Sequence, residues 1–376
     1  MGSRVAVIGG GVIGLSCAWR AAAAGFDVTV HDPAPATGSS YVAGGMLAPV
    51  TEAMPGEEDV LALGSASLDR WPGFAAELSA AAGRDPGLRA EGTLAVAIDP
   101  GDRAELDRTA EYLARLGREA EVLRGRELRR AEPSLGPAVR HGLSVPGDLA
   151  VDNRELLDAL LRACRASGVR FEASRCDALP EADAVLIAAG AHSAGLHPAL
   201  RGALRPVKGE ILRLRARRSA LPPPSRTVRA VVGGRRCYLV PRDGRRVVLG
   251  ATQHEVGFDT DVTAGGVRQL LTDAEQVVPT LAEYALEESS AGLRPGSPDN
   301  LPLIGELEPG ALVATGHHRN GILLAPLTAE AVLALLRDSP VPAEVRPADP
   351  ARLIAPVSVS GGANTVIHSR GERSQR

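Results

Sequence analysis

The chain begins with an unbroken apolar run, Val5-Ala6-Val7-Ile8. A continuous run, as opposed to an alternating one, suits a parallel strand buried on both faces. A glycine cluster from Gly9 to Gly14 follows, and an alanine-rich stretch from Val12 to Ala24 reads as a helix closed by Gly25. The stretch from Asp27 to Asp32 reads as a second strand and completes a strand–helix–strand unit. After a loop over 38–45, the pattern predicts a helix over 61–82, a strand over 93–98, an amphipathic helix over 103–116 and further short strands. A strong helical period returns over 154–167, with strands over 169–172 and 184–188.

Between Val207 and Gly292 strands dominate, at 208–214, 237–241 and 246–250, with one helix over 266–278, and this region reads as an antiparallel sheet. A final strand over 312–315 leads through a turn into a helix over about 322–337. Leu221 to Ser225 is proline-rich and predicts an exposed loop. Helix–strand alternation thus comes in three separated blocks with sheet-rich material between them. The expected fold class is mixed α/β. A Rossmann-like dinucleotide-binding domain is expected from residues 1–80, 148–205 and 291–345, interleaved with an antiparallel-sheet substrate domain from 81–147 and 206–290. Residues 346–376 lack any clear period and are expected to form a loosely attached tail.

Composition narrows the function classes. A net charge of -3 removes any electrostatic case for nucleic acid or a membrane surface. No apolar run reaches the length of a membrane span, and Met1 leads almost directly into the first strand, so a soluble cytoplasmic protein is expected. The four cysteines show no Cys-x-x-Cys or Cys/His spacing, and three of them fall in apolar helix or strand patterns as small buried hydrophobes. His317 and His318 are adjacent and cannot both point one way, so no metal site is expected.

The chemistry starts at Gly9-Gly10-Gly11-Val12-Ile13-Gly14, a G-x-G-x-x-G set between strand and helix. Gly9 permits the turn, Gly11 lets a pyrophosphate approach the backbone, Gly14 lets the helix pack close, and the helix start at Val12 and Ile13 faces the phosphates. Asp32, eighteen residues beyond Gly14, is placed to accept from a ribose 2′-hydroxyl. A second glycine-rich loop, Ser39 to Met46, follows the acid and suits a second backbone approach to a longer dinucleotide. Strand ends at Gly190 and at Thr315-Gly316 fit a cofactor lying across the whole domain, so FAD is expected over NAD. No cysteine or histidine is placed for a covalent link, which makes the FAD non-covalent. Arg294 in Gly-Leu-Arg-Pro-Gly and Arg319 in Gly-His-His-Arg-Asn-Gly sit in turn-rich settings, where rigid loops would aim a guanidinium fork at a carboxylate.

Val-Ile-Gly-Gly-Gly-Val-Ile-Gly, Ala-Gly-Gly-Met-Leu-Ala-Pro (43–49), Pro-Val-Lys-Gly-Glu (206–210) and Cys-Tyr-Leu-Val-Pro-Arg (237–242) carry a family resemblance. So do Gly-Ala-Thr (250–252), Ala-Gly-Leu-Arg-Pro-Gly-Ser-Pro-Asp-Asn (291–300) and Gly-His-His-Arg-Asn-Gly-Ile-Leu-Leu-Ala-Pro (316–326). Over about residues 4–340 the chain resembles the D-amino-acid oxidase group of FAD-dependent oxidoreductases, most closely its branch in bacterial thiamine biosynthesis. The resemblance implies that Arg294 pairs with a substrate carboxylate, that Tyr238 donates to the same group, and that Arg319 lines the site beside the flavin. It places His317, His318, Arg319, Asn320, Gly321, Ile322 and Leu323 along the isoalloxazine, with Ser39, Ser40, Gly44, Gly45 and Met46 on the other side. Cys176 and Gly190 join the cofactor-binding set.

The implied reaction is oxidative deamination of glycine and other small amino acids by hydride transfer from Cα to flavin N5, with dioxygen as final acceptor. A sarcosine or D-amino-acid oxidase, or a dehydrogenase, is the alternative. The implied partners are the amino acid, dioxygen, a thiazole synthase that collects the imine, and further copies of the chain in a homo-oligomer. Arg236, Gln253, Ser290 and His318 depart from the family pattern, and the segment over 172–183 is short.

Overall fold

The computed structural model describes residues 2–353. The first apolar run becomes the strand Arg4–Ile8 near the middle of a six-stranded sheet. Across that sheet the order is Leu303–Glu308, Ala311–Thr315, Ala184–Ile187, Arg4–Ile8, Asp27–His31 and Arg170–Glu172. All neighbours run parallel except the outer Leu303–Glu308 strand. Val5 lies opposite both Val28 and Ala184, so its side chain is covered from each neighbouring strand. Helices Val12–Ala23, Glu58–Ala82, Asn153–Ala166 and Ala325–Leu336 pack over one face and bury Leu15, Trp71, Leu160 and Ala329 in a single core. On the other face Ala6, Ile8 and Val185 are buried beneath Leu179, Ala182 and Leu196, and a sheet covered on both faces needs the unbroken apolar strands found in the sequence.

The second sheet has eight strands, in the order Tyr284–Gly296, Arg205–Ala216, Arg246–Gly250, Arg235–Arg242, Thr227–Val232, Thr93–Ala97, His141–Val145 and Glu121–Arg124. Helix Ala264–Val277 covers its core of Leu94, Leu212, Leu239 and Leu249. A three-stranded ribbon, Met46–Leu47, Leu149–Val151 and Leu88–Arg89, joins distant stretches of chain. Local signals set the helix starts. Asp152 accepts from the backbone N–H groups of Arg154 and Glu155, and Asp99 accepts from that of Asp102. Among the described residues no helix is long and apolar enough to cross a membrane.

Three expectations need correction. Arg294 lies not in a loop but inside the strand Tyr284–Gly296, opposite Val207 of Arg205–Ala216. The nearby Pro295 is tolerated because this strand is at the sheet edge. Strand Thr227–Val232 and helix Gly125–Ala131 have no distinct pattern in the sequence. The tail is not loose where it is described: Ala348 and Pro350 are buried, and Arg352 grips Asp299 at 2.8 and 3.1 Å. The remainder of the expected tail, 354–376, lies outside the described residues.

One tie couples helix Glu58–Ala82 to the turn before the last helix. The Trp71 indole Nε1 donates to the Leu323 carbonyl at 2.9 Å, and Ser67 Oγ donates to the same oxygen at 2.7 Å. Trp71→Ala should destabilise the fold by about 3–5 kcal/mol through the cavity it leaves. Trp71→Phe should cost only about 1–2 kcal/mol, because Ser67 still satisfies the carbonyl. Urea unfolding of the two variants checks the ranking.

Candidate active site

A cavity of about 780 Å³ runs between the two sheets. One end is lined by Asp32, Cys176 and His192, the other by Glu52, Tyr238, Arg294 and Arg319. At the first end, helix Val12–Ala23 begins at Gly11, which has no side chain to cap it; Ser40 takes the Val12 N–H, and the other amide donors of the first turn face an incoming anion. Gly14 sits behind this surface, where a methyl group would run into the Gly9 carbonyl oxygen. Asp32 accepts from the backbone N–H groups of Gly10 at 2.6 Å and Ala34 at 2.8 Å. Each carboxylate oxygen keeps a second lone-pair direction for a ribose hydroxyl.

The Ser39–Met46 segment forms the next wall. Ser40 Oγ accepts from the Val12 N–H at 3.0 Å, tying this segment to the helix start. From behind, the buried Asn153 donates to the carbonyls of Ser40 at 2.9 Å and Tyr41 at 2.8 Å, and Arg242 donates to that of Gly44 at 2.7 Å. Burial pulls the Arg242 guanidinium down to about 10, against the opposing field of Asp152, and leaves it a cation at neutral pH. Its Nε lies 3.2 Å from Asp152. These donors turn the loop carbonyls away from the cavity.

The end of the cavity that holds Arg294 and Tyr238 is built on bare backbone. The Arg294 guanidinium lies across Gly209, its diagonal neighbour on the paired strand, where any side chain would collide with it. Arg294 Nη1 also donates to the Thr252 carbonyl at 3.3 Å. The Tyr238 ring fills a slot between Gly44 and Gly250, again at distances that exclude a Cβ. Burial raises the Tyr238 pKa and the Arg294 charge beside it opposes the rise, so the hydroxyl remains a protonated donor.

Arg319 lines the cavity from the turn His318–Asn320, but its charge is already met. Its Nε lies 3.4 Å from Glu52 and its Nη2 3.8 Å from Glu57. Glu52 and Arg229, 3.0 Å apart, both line the cavity and are not recognisable from sequence. Glu52 follows the Met-Leu-Ala-Pro segment without a motif of its own, and Arg229 lies on an unpredicted strand. Burial would raise the Glu52 carboxyl, yet the Arg229 charge, then those of Arg319 and Arg294, outweigh it and hold the group below the usual carboxylate range.

Most expected cofactor residues do line the cavity: Gly9, Gly11, Val12, Ile13, Asp32, Ser39, Ser40, Gly44, Gly45, Met46, Cys176, Gly190 and the run His317 to Ile322. Gly14 and Leu323 do not, the second because its carbonyl is turned to Trp71 and Ser67. Among the departures, Arg236, Gln253 and His318 line the cavity and Ser290 does not.

The chain matches the family model described as DAO, FAD dependent oxidoreductase, over residues 4–335. The chain belongs to this family. Glycine oxidase from Geobacillus kaustophilus is 33% identical over 94% of this chain and 98% of its own length. A crystal structure of glycine oxidase from that organism superposes with a TM-score of 0.85, covering 94% of this DAO-family chain and 100% of the other. The putative thiamine biosynthesis oxidoreductase ThiO of Rhizobium etli is 34% identical over 87% of this chain and 94% of its own length. The bifunctional protein ThiO/ThiG of Nostoc sp. is 32% identical over 88% of this chain, and the chain spans only about half of that relative's length, 52%. FAD is the cofactor of this DAO-family protein, and the open helix start, Asp32 and the length of the cavity fit it.

Two predictions come from this geometry. Gly209→Ala should displace the Arg294 guanidinium and raise KM for the substrate about tenfold or more, while the visible flavin spectrum stays unchanged. Steady-state kinetics beside an absorption spectrum checks it. The second concerns His317, which is 2% exposed, bonded to Thr328 Oγ1 at 3.1 Å and driven by burial from 6.5 to about 3. Between those values the unfolded chain binds more protons than the fold, so stability is lost as pH falls from 6.5 toward 3. His318, lowered to about 4 by burial and then by Arg319, Arg294 and Arg205, adds to the same slope. Urea unfolding at about pH 7, 6 and 5 should show decreasing stability, and His318→Phe should show a shallower decline.

Proposed function

We propose that the protein oxidises glycine or another small amino acid to its imine, with FAD as cofactor and dioxygen as final acceptor. The observation that carries this reading is the convergence of the Arg294 guanidinium and the Tyr238 hydroxyl at one end of the cofactor cavity, each seated on glycine surfaces. The relatives named glycine oxidase and ThiO support the same reading.

Arg294 offers its planar fork to the substrate carboxylate in two hydrogen bonds, and Tyr238 adds a third from its hydroxyl. Three fixed donors on one carboxylate leave the substrate little rotation, so the Cα–H faces one direction. Thr252 and the Gly209 backbone hold the guanidinium from moving with the substrate. When bound, FAD supplies the acceptor for the two electrons that leave Cα. Hydride loss from Cα needs the amine in its neutral form, so the ammonium proton is given up to water before that step; His317 takes no part, being buried and bonded to Thr328 Oγ1 at 3.1 Å. The chain's contribution is therefore positioning and charge. Ser290 lies off the cavity wall, so its small size does not enlarge the site, which favours a small substrate. The imine would hydrolyse to an oxo acid and ammonia, or pass to thiazole formation; the ThiO/ThiG fusion relative supports the second route.

Arg294→Ala should lower kcat/KM for glycine by about 2–5 kcal/mol, roughly 30- to 5,000-fold, with the flavin absorption bands retained. Peroxide release measured on glycine checks it. An unchanged kcat/KM would overturn the assignment.

A further inference from the structure

The grip on the carboxylate leaves the other end of an amino acid unexplained. At the pH of a cell the free substrate is a zwitterion, and its ammonium needs a partner of opposite charge when it leaves water. Among the described residues lining the cavity, the acids are Asp32, Glu52 and Asp177. Asp32 follows the strand Asp27–His31 and Asp177 lies in the segment after strand Arg170–Glu172, both at the far end from Arg294. Glu52 is the one acid at the substrate end.

We infer that Glu52 is the residue that recognises the substrate's amino group, so that Arg294 and Glu52 together read the two charges of the amino acid. This inference rests on the function proposed above and extends it to the second recognition group.

Three observations carry it. The Glu52 carboxylate reaches the wall of the cavity that holds Tyr238 and Arg294, and its side chain is 13% exposed. It is held from two sides, with Oε1 at 3.0 Å from Arg229 Nη1 and Oε2 at 3.4 Å from Arg319 Nε. Each oxygen has two lone-pair directions, so one on each remains for an amino N–H. Finally, Arg229, Arg294 and Arg319 converge at this end, while Arg236 has its own acid in Glu105 at 3.0 Å, and Glu57 supplements Glu52 only at Arg319, 3.8 Å away. Three guanidinium groups serve one carboxylate poorly unless a fixed negative charge marks where the cationic end belongs. Arg229 has its own second contact, to Thr51 Oγ1 at 3.4 Å, and therefore acts as a positioning residue that keeps Glu52 at the wall.

The alternative is that Glu52 serves only as counter-ion to Arg229 and Arg319. The two roles separate when the ligand loses its amine. The test uses the FAD-loaded enzyme and compares glycine turnover with competitive inhibition by acetate and glycolate, which keep the carboxylate and lack the amino group. Glu52→Gln should lower kcat/KM for glycine about 10- to 100-fold, while Ki for acetate and glycolate stays the same or falls, because a negative charge near the anion has been removed. Glu52→Asp, which restores the charge, should recover part of the glycine activity. Parallel loss of glycine turnover and of acetate binding would assign Glu52 a structural role and overturn the inference, as would an unaffected kcat/KM. If the unaltered enzyme neither oxidises glycine nor binds acetate, the failure lies with the proposed function itself.

Discussion

A guanidinium pressed against bare backbone is the constraint around which the substrate end is arranged. Arg294 projects from an edge strand, and the strand beside it must present Gly209 under the charged fork. The Tyr238 ring makes the same demand of Gly44 and Gly250. Packing of this kind leaves each polar head a single position, so the entropy of orienting it is lost on folding and not on binding. It also places both donors where water is scarce, where a charge-assisted hydrogen bond is stronger than in bulk solvent.

Concentrating cations in such a place has a cost, because like charges out of water repel and each guanidinium needs compensation. Glu52 supplies much of it, between Arg229 and Arg319, and its own ionisation is secured by those neighbours against burial. Behind the flavin loop the balance is struck differently. There Arg242 and Asn153 direct their donors to carbonyl oxygens, and Asp152 faces the guanidinium while also capping helix Asn153–Ala166. One acid thus starts a helix and holds the cation that shapes the cofactor wall.

The cofactor end is legible in the sequence because its signals are local. Gly9, Gly11 and Gly14 fall within six positions, and Asp32 follows after one helix and one strand, so turn chemistry and periodicity alone bring them together. The setting of Arg294 misleads for an equally local reason: Gly, Pro and Ser nearby imitate a loop. Pairing with Arg205–Ala216 along its whole length overrides that tendency. Residues 346–353 give no periodic signal because they dock as short turns, with Ala348 and Pro350 buried and Arg352 on Asp299.

Taken alone, the chain's residues determined the strand–helix–strand unit and the nucleotide turn, since these depend on spacing and on motifs that carry their own geometry. Tertiary structure decided what stands opposite them. Glu52 and Arg229 lie far apart in sequence, on a loop and on a strand with no distinct pattern, and only the closure of one sheet over the other brings them to 3.0 Å. Charge compensation inside a cavity is a property of the assembled space, and a linear pattern of hydrophobic and polar positions carries no record of it.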